Sequence, residues 1–244
     1  HPSTVNQQGG AITGKILLSA ASDTVNVTGG AIAGDIVGQG NANLNFALGS
    51  GTFTFAAPYA VTGMEGVFMN SGTVTIAGTI NTDALTVNGG TMIVEGKVTT
   101  FPGFATVNGG KLVVGDDTHA TATLAGDVLV KSGGTLAGIG TVGATTIMAG
   151  GIHAPGNNSL GTQTINGNYT NNGTLQIYMT PTLSSQVTVN GAVDISGATL
   201  SLMPSPAFAA DFNSLNGPFT IIANDGGDAV TGTFSSVTGP LLFF

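Results

Sequence analysis

The chain has 244 residues, of which 40 are glycine and only 7% are charged, and it contains neither cysteine nor tryptophan. Soluble proteins average about 25% charged residues, so threonine, asparagine, serine and glycine must cover most of this surface. The net charge of −8 includes four lysines and no arginine, which disfavours binding to nucleic acid and to anionic membranes. A disulfide scaffold is excluded, and Gly, Thr and Asn interrupt every apolar run before it reaches the length of a transmembrane helix.

A doubled glycine recurs about every twenty residues through the first two thirds of the chain. The pairs are Gly9-Gly10, Gly29-Gly30, Gly89-Gly90, Gly109-Gly110, Gly133-Gly134 and Gly150-Gly151. Ser50-Gly51 and Ser71-Gly72 continue the same phase. A repeat of this length predicts a stack of similar structural units, in which each unit covers the apolar side of its neighbour.

Short runs of alternating polar and apolar residues lie between these glycines and predict strands of about four to six residues. Examples are Thr24–Val27, Thr73–Ile76 and Leu85–Asn88. A unit of about twenty residues with two or three such strands matches one turn of a parallel β-helix. We therefore predict an all-β chain in which residues 1–170 form a right-handed parallel β-helix. An antiparallel sandwich has similar strands but does not explain why the turn motif repeats in phase.

The pattern changes near residue 170, where doubled glycines become rare and the strands lengthen into hairpin-like alternation. Examples are Thr174–Met179, Gln186–Val189 and Ala198–Leu202. The end turns of a solenoid expose strand edges and core, so they need caps. We predict that residues 171–244 form a β-rich C-terminal cap.

The segment 133–169 carries the most specific motif of the chain. It begins Gly-Gly-Thr-Leu-Ala-Gly-Ile-Gly and, from residue 149, reads Ala-Gly-Gly-Ile-His-Ala-Pro-Gly-Asn-Asn-Ser-Leu-Gly. This segment closely resembles the passenger-associated transport repeat of bacterial autotransporters. We expect its conspicuous residues to shape tight turns and not a binding site; they are Gly133, Gly134, Gly138, Gly140, Gly150, Gly151, Pro155, Gly156, Asn157, Gly161 and Gly167.

The region after this motif resembles the pertactin-like C-terminal passenger segment of autotransporters, which is often called the autochaperone region. The resemblance rests on Gln186–Gly191, Gly197–Leu202, Phe219–Ala223 and Gly232–Val237. One position in the motif departs from the family, because Ile152-His153 stands where Thr-Leu usually precedes Ala-Pro-Gly-Asn. Either a histidine occupies an inward leucine position, or the strand register slips locally.

The resemblance implies a role in type V secretion. Autotransporters consist of a signal peptide, a passenger and a C-terminal outer-membrane β-barrel, and that barrel is the implied partner of this chain. The passenger crosses the barrel pore unfolded and folds outside the cell, beginning near its C-terminus. We expect a monomeric passenger fragment, processed or excised ahead of His1, that is displayed on the bacterial cell surface. It would act as a membrane-proximal stalk and as a folding seed.

Adhesion is the alternative role within the same family. Aromatic residues cluster at 53–68 and 101–104, where the glycine rhythm is least regular. Packing in the core explains such residues, whereas an exposed patch would favour binding to a host-cell receptor or a matrix protein. The candidates for such a patch are Phe53, Phe55, Tyr59, Phe68, Phe101 and Phe104.

A polysaccharide-active enzyme is a more distant alternative, because parallel β-helices include lyases and hydrolases. Lyases of that fold typically use arginine or lysine as the base, but arginine is absent here and the four lysines fall in different turns. A serine-protease triad would need His119 or His153, and the sequence lacks the Gly-x-Ser-x-Gly context of such enzymes. We expect neither catalytic residues nor a cofactor.

Two acidic segments raise the question of metal binding. Asp116-Asp117, with His119 nearby, lie in the longest step of the repeat. We predict a solvated loop there and no metal ligands, with a cation site as the less favoured alternative. The run from Asp225 to Asp228 lacks the repeated calcium-binding nonapeptide, so we predict a turn there and no metal ligands. Repeated Thr-x-Thr triplets leave ice binding as a further, less favoured class, because β-branched threonine is common in strands for other reasons.

Overall fold

The structure is a computed structural model that describes residues 1–206 and 218–239. Every element named in these ranges is a β-strand, and none of the described residues forms a helix long and apolar enough to cross a membrane. The strands are β1 (Thr4–Gln7), β2 (Ala11–Thr13), β3 (Ile16–Leu17), β4 (Thr24–Val27), β5 (Ala31–Ala33), β6 (Ile36–Phe55), β7 (Ala60–Ile76), β8 (Thr79–Val87), β9 (Thr91–Val94), β10 (Lys97–Thr100), β11 (Ala105–Val107), β12 (Gly110–Val114), β13 (Thr123–Ala125), β14 (Val128–Val130), β15 (Gly134–Gly138), β16 (Thr141–Ile147), β17 (Ile152–Pro155), β18 (Thr162–Asn171), β19 (Thr174–Met179), β20 (Gln186–Val189), β21 (Val193–Asp194), β22 (Thr199–Pro204), β23 (Ile222–Asn224), β24 (Val230–Thr231) and β25 (Ser236–Thr238).

These strands stack in parallel as a β-solenoid of about 10 turns with a spacing of ~21 residues, which confirms the predicted all-β parallel β-helix. The solenoid has three faces, which the chain visits in a fixed order. The first face contains β1, β4, β11, β14, β21, β24 and parts of β6, β7, β8, β16 and β18. The second face contains β2, β5, β9, β12, β15, β17, β19, β22, β25 and parts of β6 and β7. The third face contains β3, β10, β13, β20, β23 and parts of β6, β7, β8, β16 and β18.

The longest strands bend around the corners of the solenoid. In β6, Ile36-Val37 lie on the third face, Asn43–Phe46 on the first and Thr52–Phe55 on the second. A single strand therefore follows almost a whole turn. This explains why strands much longer than the predicted four to six residues still belong to a solenoid of short steps.

The interior is a single continuous apolar stack. On the first face, the inward residues of successive turns include Val67, Leu85, Ala105 and Val128, all of which are buried. The same cluster extends from Ile16 to Leu200. Full burial of an aliphatic side chain contributes roughly 1.5–3 kcal/mol relative to exposure, so the alternating pattern supplies a stabilising contact in every turn.

The doubled glycines lie at the corner between the first and second faces. Gly90 has a φ of +72°, and a Cβ atom there would lie 2.4 Å from the carbonyl oxygen of Gly72 in the preceding turn. Only glycine combines this backbone conformation with such a close approach. Stacking of these corners on one another thus explains why the glycine pairs recur in phase.

Asparagine side chains form ladders on the outer surface. Asn88 donates a hydrogen bond from Nδ2 to Oδ1 of Asn70 at 2.9 Å, and Asn108 donates in the same way to Asn88 at 2.9 Å. A second ladder joins Asn6, Asn26 and Asn45 on the first face, over 2.9 and 3.0 Å. These ladders satisfy outward amides without charge, which suits a surface that has few ionised groups.

The three faces continue through residue 170 without a break, because β18 spans it and pairs with β20 and β21. The strands after this point, whose alternation in the sequence resembles that of hairpins, stack in parallel: β19 pairs with β17 and β22. An isolated antiparallel bridge joins Met179 and Ser184 at the end of β19. The last described turn, β23 to β25, is short, and the half-buried Phe219, Ile221 and Phe234 pack there against the core. Residues 207–217 and 240–244 of the predicted cap lie outside the described residues.

Candidate functional site

The segment that resembles the transport repeat forms β15, β16, β17 and most of β18, and its predicted turn residues lie at the corners. Gly133, Gly134, Gly150 and Gly151 lie between the first and second faces. The corner between the second and third faces contains Gly138, Gly140, Pro155, Gly156, Asn157 and Gly161, and Gly167 bends β18 toward the first face. Positive φ angles occur at Gly133, Gly138, Gly150, Gly156, Asn157 and Gly167.

Gly138 is the most constrained of these residues. Its φ is +110°, and a Cβ atom there would lie 2.2 Å from the carbonyl oxygen of Val114 in the turn before. In the following turn, Pro155 occupies the paired position, and the Gly156 amide donates to the Gly138 carbonyl at 2.9 Å. The motif therefore positions backbone against backbone at this corner.

His153 occupies the inward position that the sequence left open. It pairs with Leu136 in the preceding turn and with Leu175 in the following one, and it is 0% exposed. The register therefore does not slip, and a polar ring replaces a leucine inside the apolar stack. Such a group is tolerated inside a protein only when its nitrogens are hydrogen-bonded.

Buried hydrogen bonds satisfy both nitrogens of His153. Nδ1 lies 2.8 Å from the hydroxyl oxygen of Tyr169, and Nε2 lies 2.8 Å from Oε1 of Gln163. Gln163 donates from Nε2 to the Ala137 carbonyl at 3.0 Å. Beyond Tyr169, Asn171 donates from Nδ2 to the tyrosine hydroxyl at 2.7 Å and accepts from the Gly173 amide at 2.8 Å. We call these four side chains, His153, Gln163, Tyr169 and Asn171, the interior network.

The interior network spans the cross-section of the solenoid, because its members come from all three faces. Gln163 lies on the third face, His153 on the second and Tyr169 on the first. The carbonyl of Ala137 belongs to the preceding turn, so the network also joins one turn to another. It therefore braces the three faces of the motif against each other.

The donor and acceptor roles in the interior network assign the protonation state of His153. The amide nitrogen of Gln163 donates to the Ala137 carbonyl, so the amide oxygen Oε1 accepts from His153 Nε2–H. His153 Nδ1 then accepts from the Tyr169 hydroxyl, whose oxygen accepts from Asn171. Each donor has an acceptor when the imidazole is neutral. Burial lowers the pKa of His153 to about 4 and raises the pKa of Tyr169, so both are neutral near pH 7.

The sequence pointed to His153 but missed its partners. Gln163, Tyr169 and Asn171 are 0% exposed, although polar side chains in an alternating run are ordinarily assigned to the outer face. The alternation of the strand could have revealed Gln163. It lies two residues from Ile165 on β18, so the two side chains point to the same, inward face. The interior network is sealed from solvent and joins the three faces through its hydrogen bonds.

The six aromatic candidates do not form one patch. Phe53 is 4% exposed and Phe55 is 0% exposed, and the ring of Phe53 packs 5.5 Å from that of Phe46 in the core. Tyr59 and Phe68 are half-buried. Phe101 and Phe104, by contrast, are 78% and 53% exposed on the corner between β10 and β11. This pair is the part of the predicted patch that is open to solvent.

The acidic segments also have defined positions. Asp116 and His119 lie together on the corner between β12 and β13, where Glu95 of the preceding turn joins them. The sequence did not point to Glu95, because contact between successive turns depends on how the longer corner folds. Near the C-terminus, Asp225 accepts from the Gly227 amide at 2.9 Å within an exposed turn. Comparison with protein-family models, with curated proteins and with solved structures found no match.

Proposed function

We propose that this chain is the membrane-proximal part of an autotransporter passenger, exported to the bacterial cell surface, where it acts as a stalk and as a seed for folding. One observation carries the proposal. The segment 133–169, which resembles the transport repeat, contains the interior network that joins all three faces of one turn and reaches the preceding turn. Because these hydrogen bonds join the faces of a turn near the C-terminal end, they favour folding that begins there and proceeds toward the N-terminus, as expected for a passenger.

The stalk role rests on the shape of the solenoid. About 10 turns at a spacing of about 4.8 Å give a rod of roughly 45–50 Å. Each turn contacts only its neighbours, so the rod is extended by adding turns and not by enlarging a core. The chain also has no cysteine, which suits export through a pore in an unfolded state.

The seed role rests on templating between turns. In a parallel solenoid, each turn offers the next one a row of unpaired backbone groups, so growth from a formed turn is easier than formation of the first. The interior network fixes the register of its turn through directional hydrogen bonds, which apolar stacking alone does not do. A braced turn near the C-terminal end is therefore a suitable starting point for growth toward the N-terminus.

Pulsed hydrogen exchange during refolding of the full chain tests this order of folding. We expect amides of β15 to β22 to become protected before those of β1 to β5, because the earlier turns add onto a formed template. Simultaneous protection of both regions, or earlier protection of the N-terminal strands, would contradict the seed role.

Export provides the second test, with the chain placed between a signal peptide and an outer-membrane barrel in a Gram-negative host. Val193 and Val25 are matched positions, because both are inward valines of the first face and almost fully buried. We expect Val193→Asp to reduce surface display strongly and Val25→Asp to reduce it little, since the latter disturbs only the last turns to form. Equal loss in both variants would rule out C-terminal seeding.

Adhesion is a second candidate, favoured by the exposure of Phe101 and Phe104. Large exposed aromatic side chains on one corner are a typical anchor for a protein partner. Fluorescent full chain should bind epithelial cells or a matrix-protein panel saturably, and the double variant Phe101→Ser/Phe104→Ser should lose this binding. Leu17→Ser is the matched control, because Leu17 is 71% exposed on another part of the surface. Absence of saturable binding, or equal loss in the control, would exclude an adhesive role for this pair.

A further inference from the structure

One corner of the solenoid is longer than the corresponding corner of the preceding turn, and it carries aspartate and histidine, which are residue types that can act as metal ligands. The second and third faces are joined by Glu95-Gly96 in one turn and by residues 115–122 in the next. The longer corner carries Asp116, Thr118 and His119. It lies against the preceding turn, so that His119 approaches Glu95, with 3.8 Å between Nε2 and Oε2.

Asp116 fixes the orientation of the His119 ring. Its Oδ1 accepts from the hydroxyl of Thr118 at 2.7 Å and from the amides of Thr118 and His119 at 2.9 and 2.8 Å. One carboxylate oxygen thus accepts three hydrogen bonds from the same short segment, which fixes the position of the Asp116 side chain. The same oxygen lies 2.9 Å from His119 Nδ1, and the Thr118 hydroxyl oxygen lies 3.0 Å from it. Because the Thr118 hydroxyl proton is donated to Asp116, both oxygens can accept from Nδ1–H, which assigns the ring proton to Nδ1.

This orientation leaves the other nitrogen with a lone pair. In the neutral imidazole, Nε2 is then an acceptor, and it faces the carboxylate oxygen of Glu95 at 3.8 Å. Two electron-rich atoms do not attract each other, whereas a cation between them pairs with both. A carboxylate that holds one imidazole nitrogen while the other faces a ligand position is the usual outer arrangement of metal-bound histidine.

We propose that Glu95 and His119 bind a divalent transition-metal ion of the Zn²⁺ type, with Asp116 as the positioning residue. Glu95, Asp116 and His119 each place a ligand atom within 4.8 Å of the others. A tetrahedral zinc site has ligand atoms about 3.4 Å apart, and the partly exposed side chains of Glu95 and His119 have room to close by that amount. Water completes the coordination at this open corner.

The mixed nitrogen and oxygen donors decide the class of metal. Imidazole suits Zn²⁺, Ni²⁺ and Cu²⁺, whereas Ca²⁺ and Mg²⁺ prefer oxygen ligands alone. A bound ion would fasten the long corner to the turn before it. It would thus add a cross-link between two successive turns of the solenoid.

Calorimetric titration of the full chain with Zn²⁺ at pH 7.5 tests the proposal. The chain has three histidines, of which His153 is buried and His1 offers a second, exposed imidazole that could compete for the metal. All titrations therefore use a His1→Ala background. We expect one saturable site that is lost in His119→Ala and Glu95→Gln and weakened by about 10–100-fold in Asp116→Asn. Asp117→Asn is the matched control and should bind as the background does.

A second measurement does not depend on variants that might disturb the corner. Addition of Zn²⁺ should shift the imidazole proton signals of His119 in the nuclear magnetic resonance spectrum and leave those of His153 unchanged. Excess Ca²⁺ should not reverse the shift. The proposal is overturned by binding that persists in His119→Ala, by unchanged His119 signals, or by the absence of a saturable site.

Discussion

The Nδ1 atom of His153 lies 2.8 Å from the hydroxyl oxygen of Tyr169, and neither side chain is exposed to solvent. The two residues come from different faces of the solenoid, and their rings meet edge to face with centroids 5.3 Å apart. The contact therefore spans the interior of a turn, and the turns on either side stack the apolar side chains of Leu136 and Leu175 against His153. It makes this turn sensitive to both protonation and substitution.

We expect the chain to lose stability as the pH falls from about 6.5 to about 4. The pKa of His153 is about 4 in the folded chain, against 6.5 for a histidine that is free in water. Between these two pH values the unfolded state binds more protons than the folded state. The free energy of unfolding therefore decreases as the pH is lowered. The contribution is fully present above pH 6.5, and about 3 kcal/mol is lost by pH 4. Urea midpoints measured across this range report it.

The variant His153→Leu separates this effect from the titration of carboxyl groups. It restores an aliphatic side chain between Leu136 and Leu175 but leaves Gln163 and Tyr169 without their partner. The variant should therefore be less stable at pH 7 and should show a smaller decrease between pH 6.5 and 4. An unchanged slope would mean that His153 is protonated in the folded chain or accessible to water.

We expect the hydroxyl of Tyr169 to contribute substantially to the free energy of unfolding. Tyr169→Phe removes the donor to His153 and the acceptor for Asn171, leaving two buried polar groups unpaired. Each such group costs about 1–3 kcal/mol, so we expect a loss of about 2–6 kcal/mol in urea unfolding at pH 7. Tyr178→Phe, at a half-buried outward position of β19, should change stability by less than about 0.5 kcal/mol. Similar losses in both variants would contradict the assigned network.

The fold could be read from the sequence because two independent patterns agree. Alternation at Thr73–Ile76 gives the inward and outward positions, and the glycine corners give the period. After residue 170 the alternation persists while glycine pairs become rare, and alternation alone does not distinguish parallel from antiparallel pairing. The partner of β19 is set by the length of the connections on either side, which the pattern of polarity does not encode.

The candidate site was predicted less completely than the fold. The corner residues of the motif, such as Gly138 and Pro155, follow from backbone constraints that each residue type carries with it. The interior network depends on His153, Gln163 and Tyr169 meeting across the section of a turn. Contacts of this kind depend on the widths of the three faces and on the bends between them. A local pattern of polar and apolar residues therefore does not predict them.

The two kinds of constraint on corner glycines can be separated by experiment. Gly133 and Gly138 have φ angles of +85° and +110°, but a Cβ atom at Gly133 meets nothing within 4 Å. Gly133→Ala should therefore lose about 1–2 kcal/mol from backbone strain alone. Gly138→Ala should lose about 3 kcal/mol or more, because its Cβ atom also collides with the Val114 carbonyl. Equal losses in urea unfolding would show that the corner at Gly138 relaxes.

The asparagine ladder predicts that a central member contributes more than a terminal one. Asn88 makes side-chain hydrogen bonds to both Asn70 and Asn108, whereas Asn70 bonds only to Asn88 within this ladder. Each such bond contributes about 0.5–1.5 kcal/mol, so Asn88→Ala should lose about twice as much stability as Asn70→Ala. Thermal unfolding of the two variants and the parent chain measures the difference. Equal small losses would mean that water replaces these bonds, and that the outer surface gains its order from the backbone ladders beneath it.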